Sequence, residues 1–91
     1  MTTVDRLLDK WKGSSQEQVR ALIRYAALHV DPMGSFTTLC DKAGFSYNTL
    51  NSALVRGSVS KDMALAIEQL VGADVLPADK LLYLRTEEIS A

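Results

Sequence analysis

A single cysteine and a single histidine among 91 residues leave no partner for a disulfide and no ligand set at zinc-binding spacing. Stapled folds and structural zinc are thereby excluded within one chain. With only 2 prolines and 5 glycines, the sequence also lacks the marks of collagen-like, linker-rich or low-complexity chains. No apolar run approaches the ~18 residues of a membrane span. Asp5, Asp9 and Glu17 interrupt the early part of the chain, unlike a secretory signal, so a cytoplasmic protein without membrane contact is expected. An excess of charge is missing too: 10 Lys and Arg stand against 11 Asp and Glu, a formal net charge of -1. That excludes a strongly basic nucleic-acid coat and leaves room for a small basic face. There is no phosphate-cradling glycine loop, no His-Glu zinc motif and no nucleophile beside a base. A chain this short has little volume for an enclosed pocket. Neither catalysis nor a cofactor is expected.

What is present is an ordinary globular composition, 47% hydrophobic and 23% charged, enough for one small domain over 1–91. Its apolar residues repeat at helical spacing. Val4, Leu7, Leu8 and Trp11 mark one face of a first helix that ends near Lys12, with Gly13 behind it. Trp11 reads as a core or inter-subunit side chain. Ser14 and Glu17 have the spacing of a capping box and open a second helix, whose stripe runs Val19, Leu22, Ile23, Ala26, Ala27 and Val30. Arg20 and Arg24, one turn apart beside that stripe, have the chemistry for a phosphate contact but read first as a solvated face. His29 suits the negative end of the helix dipole, and Asp31-Pro32-Met33-Gly34 stops the helix. Three shorter helices follow over 35–43, 46–56 and 60–71. Each is opened by a serine that can N-cap (Ser35, Ser46, Ser60) and closed by a glycine (Gly44, Gly57, Gly72). The last of them turns Met63, Ala64, Ile67, Leu70 and Val71 inward. Beyond Gly72, Pro77 fits the first turn of a short helix, a strand over 81–85 suits the residues nearly as well, and the polar tail over 86–91 is expected to fray. The predicted fold is all-α: a compact bundle of about five short helices, ending in a short helix or strand.

The string FTTLCDKAGFSYNTLNSALVRG places two short helices around a glycine turn, which is the pattern of a helix-turn-helix. Leu39 and Ala43 face the core, Cys40 is small enough for a second helix to approach, Gly44 takes the positive φ that ends the first helix, and Phe45 plugs the turn. On a wheel of about 100° per residue, Leu50, Ala53 and Leu54 gather inward. Asn48, Asn51, Ser52 and Val55 fan out on the other side, with Tyr47 at the exposed helix start. Asparagine is suited to bidentate pairing with adenine in the major groove, and serine bonds several base edges. Ser35 and Ser46 stand at helix starts whose free N–H groups can hold phosphate, with Lys42, Arg56 and Lys61 near in sequence.

On these motifs, residues 34–72 resemble the helix-turn-helix domain of the Cro and phage-repressor type, in the manner of the small Ner-like and YdaS-like regulators. GSFTTLCDKAGFS is similar to that family's first helix and turn, TLNSAL to its recognition helix, and SKDMALAIEQLVG to the helix that closes the core. The resemblance divides the chain into an N-terminal helical extension packed on the core (1–33), the helix-turn-helix core (34–72) and a C-terminal segment (73–91). It implies a sequence-specific DNA-binding transcriptional regulator, a phage or prophage repressor or an antitoxin-like autoregulator, that reads the major groove of a double-stranded operator as a homodimer. Carried over by position, Tyr47, Asn48, Asn51 and Ser52 read bases, while Ser35, Thr37 and Lys42 lie near the backbone, joined by Ser46, Arg56 and Lys61. The stretch from Gly44 to Gly57 is one residue longer than the commonest spacing in the family, which leaves room for Val55 or Arg56 to loop out.

One recognition helix with few cations binds poorly at physiological salt, so two modules are needed. Val75, Leu76, Leu81, Leu82, Tyr83 and Leu84, left over once the core is filled, are the expected dimer contact, with the first helix around Leu7, Leu8 and Trp11 as the competing surface. The alternative class is a protein–protein interaction module that keeps the same scaffold and recognises a protein partner without reading DNA sequence.

Overall fold

The computed structural model describes residues 3–84. Within them lie six helices and no strand: α1 (Thr3–Lys10), α2 (Ser15–Leu28), α3 (Phe36–Ala43), α4 (Tyr47–Arg56), α5 (Lys61–Val71) and α6 (Ala78–Leu82). The bundle is all-α, as the periodicity predicts. The tail over 86–91 lies outside the described residues.

Local chemistry explains where the helices begin. Ser14, Ser35, Ser46 and Ser60 all have extended backbone, and each hydroxyl accepts a bond from the N–H three residues on. One orphan donor is thereby satisfied at each start. The reciprocal half of the capping box at α2 is not made, because the Ser14 N–H donates to the Trp11 carbonyl at 3.0 Å. α2 also stops at Leu28, short of Val30. The His29 N–H reaches the Ala26 carbonyl at 3.0 Å and the Val30 N–H the Ala27 carbonyl at 3.1 Å, and these three-residue bonds tighten the last turn. His29 Nδ1 donates back to the Tyr25 carbonyl at 2.8 Å. The Asp31 carboxylate then organises the turn into α3, accepting from the N–H groups of Met33 (3.3 Å) and Ser35 (2.9 Å).

One core joins all of these elements. α2 runs through its middle with Val19, Leu22, Ile23, Ala26 and Ala27 fully buried, flanked by Leu39 from α3, Leu50 and Ala53 from α4, and Ala64 and Ile67 from α5. α1 adds Val4 and Leu8. Residues 1–33 and 34–72 share that core: α2 lies in its middle, with α3 and α4 packed on it. Gln18, on the same helix, is buried with its polar atoms satisfied. It is the one buried polar side chain among the described residues, and the periodic pattern gives no sign of it.

Of the two forms expected for the C-terminal segment, the short helix is the one formed, over residues 78–82. Leu76 and Leu81, expected at a dimer contact, are 0% and 1% exposed inside this chain's own core. α6 closes the end of the bundle against α5, and Lys80 Nζ meets Asp5 Oδ1 at 3.1 Å to tie it to α1. Val75, Leu82 and Leu84 are half-buried on the same cluster, which leaves Tyr83, 76% exposed, as the free side chain of that set. Leu8 is likewise core, so it offers nothing to the competing surface. Among the described residues no helix is long and apolar enough to cross a membrane.

Candidate nucleic-acid interface

α3, the turn 44–46 and α4 are the two short helices and the glycine turn on which the helix-turn-helix expectation rests. Gly44 ends α3 in the left-handed conformation (φ 87°), its N–H bonded to the Cys40 carbonyl at 2.8 Å. The Phe45 N–H also reaches the Cys40 carbonyl, at 3.2 Å, and its ring packs half-buried against the core. Cys40 is buried where α3 meets its neighbours, and burial, followed by the adjacent Asp41 carboxylate, pushes its thiol up. A neutral, small side chain is what such a crossing requires.

α4 presents a sharply divided surface. Leu50, Ala53 and Leu54 are buried, whereas Asn48, Asn51 and Ser52 are exposed. Tyr47, 49% exposed, stands at the start, and Val55, 66% exposed, lies on the outer face between Asn51 and Asn48, with Ser52 beyond Asn48. The helix continues without interruption to Arg56 and ends at Gly57, so the extra residue is absorbed as helix and neither Val55 nor Arg56 loops out. Both ends are fastened. Ser46 Oγ accepts the Thr49 N–H at 3.1 Å and pairs with Thr49 Oγ1 at 2.8 Å. At the far end Gln16 Nε2 donates to the Val55 carbonyl at 3.2 Å, and a Cβ on Gly57 would lie 2.8 Å from the Gln16 nitrogen. The first turn of α2 therefore abuts the last turn of α4.

The expected backbone contacts divide. Thr37, Lys42, Ser46, Arg56 and Lys61 are exposed. Ser35 is half-buried, its hydroxyl oxygen accepts the Thr38 N–H, and its backbone N–H is taken by Asp31. The Asp31 carboxylate places negative charge at the start of α3, where a phosphate contact was expected.

Sequence patterning does not reveal a second surface beside this one. Gln16, Arg20 and Arg24 lie four residues apart on α2 and form one stripe from the end of α4 to the start of α3. Arg24 sits over the Phe36 ring at 5.9 Å, and Lys10 Nζ over the Trp11 ring at 5.1 Å. Trp11, Glu17, Arg20, Ala21, Arg24 and Phe36 line a cleft of about 220 Å³. Trp11 is thus the wall of a cleft and only half-buried, not a core side chain. Pairing of Arg20 with Arg24 is legible in the sequence, but the rings that line the cleft with them come from the turn after α1 and from the start of α3. Compared with protein-family models, curated proteins and solved structures, the chain has no match in any of the three.

Proposed function

We propose that this chain is a sequence-specific duplex-DNA-binding regulator that inserts α4 into the major groove and acts as a dimer in a bacterial or phage-infected cytoplasm. The observation that carries the reading is the outer face of α4. Asn48, Asn51 and Ser52 stand exposed around Val55, on a helix fixed at both ends, next to a glycine turn. Exposed amides and a hydroxyl match base-edge donors and acceptors, and an apolar side chain among them matches the thymine methyl. Arg56 and Lys42 supply cations at the last turns of α4 and α3. Tyr83 is the available apolar contribution of the C-terminal segment to a dimer.

The test is a fluorescence-anisotropy titration against random-sequence duplex and against the DNA flanking the protein's own gene, at two salt concentrations. Preference for the flanking DNA, lost in Asn48→Ala/Asn51→Ala, supports the reading. A protein interaction module on the same scaffold is the second reading, favoured by the exposed Leu28, Met33 and Tyr83. It predicts no duplex binding even at low salt and no effect of the asparagine changes on partner binding.

A further inference from the structure

The chain is slightly acidic overall, yet one surface beside α4 has the opposite sign. Arg20 and Arg24 line the cleft, and Lys10 stands over its Trp11 wall; the lining contributes the single carboxylate of Glu17 in return. Both arginines are exposed. Arg24 stands over the Phe36 ring, an arrangement that favours a guanidinium and keeps its charge at one wall of the cleft. Ala21 keeps the floor between the arginines low.

From this arrangement we propose that the cleft is a seat for a phosphodiester of the DNA backbone, held between Arg20 and Arg24, flanking the groove that α4 enters. The proposal depends on the DNA-reading function above and adds the site that supplies its electrostatic anchorage. Size favours a phosphate over an organic ligand: about 220 Å³ falls below the ~300–1,000 Å³ of pockets that enclose small molecules. Continuity favours the DNA backbone over a free anion. Gln16 begins the same stripe and is bonded to the last turn of α4, so a strand that borders α4 runs on toward Arg20. The Asp31 carboxylate at the start of α3 acts against phosphate there and shifts the backbone contact from Ser35 to this cleft.

Random-sequence duplex is a sufficient probe, because non-specific binding is set by phosphate neutralisation and needs no operator. The full chain and its Arg20→Gln, Arg24→Gln and double variants are titrated by anisotropy between about 50 and about 200 mM salt. The seat predicts that the double variant binds roughly tenfold more weakly at the lower salt and that the slope of log K against log salt flattens by ~0.9, one phosphate contact. Glu17→Gln should move affinity the other way. Arg20→Gln carries the test if Arg24→Gln melts early by circular dichroism, since Arg24 packs on Phe36 and the backbone at Gly34. Duplex binding with an unchanged slope in the folded variants would overturn the seat and leave the α4 reading standing. Absence of duplex binding by the unaltered protein at low salt overturns both.

Discussion

Gly44 and Gly57 both take left-handed backbone at the end of a helix, but their surroundings differ. A Cβ at Gly44 would meet nothing within 4 Å, whereas at Gly57 it would lie 2.8 Å from a backbone nitrogen of α2. Gly44→Ala should therefore cost only the conformational term, about 1–2 kcal/mol. Gly57→Ala should cost clearly more, because α2 must move off α4. Urea denaturation of the two variants checks this, and equal losses would mean that the approach of α2 to α4 contributes nothing. Cys40 gives a pH dependence of known sign. Its folded thiol keeps its proton to higher pH than the unfolded one, so above the ordinary thiol range the unfolded chain binds fewer protons and stability falls as pH rises. The urea midpoint should decline between about pH 8 and 10 in the native protein and hold steadier in Cys40→Ala, compared with each protein's own value at neutral pH. Single-residue signals of this kind, a serine three places before a free N–H or a glycine where φ must be positive, are legible in sequence because their cause is local.

Among the elements, α4 is where the proposed recognition separates from stability. Its inner residues are core and its outer ones are exposed. Asn48→Ala and Asn51→Ala should leave the urea midpoint within the ~0.5 kcal/mol typical of surface changes. Each should cost ~1–3 kcal/mol of preference for the target duplex. Ser46→Ala should do the reverse, losing ~1 kcal/mol of stability with its cap. A stability loss from the asparagine changes that matched the binding loss would make the outer face structural. The inward residues of α4 and its exposed amides follow from the wheel alone. The outward position of Val55 does too, although its exposure depends on the helix continuing to Arg56. The cleft between α1, α2 and α3 could not be read, since its arginines share a helix but its rings come from residues 25 positions apart, Trp11 and Phe36.

Burial of the C-terminal segment belongs to the whole molecule. A leucine after the last well-marked helix looks spare in sequence, because nothing local records that one end of the core is still open. In the folded chain Leu76, Ala78 and Leu81 close it. Leu81→Ala should cost about 2–5 kcal/mol, and Tyr83→Ala, at an exposed position, less than ~0.5 kcal/mol. Thermal melts of both variants decide this, and a mild Leu81→Ala would return the segment to the surface. With one core spanning all six helices, far-UV and near-UV signals should be lost in a single transition. The fastening of α4 at its two ends has one more consequence. Ser46 and Thr49 hold its entry while Gln16 and Gly57 hold its exit, so the identity of positions 48, 51, 52 and 55 is free of any duty to the fold. If α4 reads DNA as proposed, those four letters can be rewritten together, by selection or by design, to change the preferred duplex on an unchanged chassis.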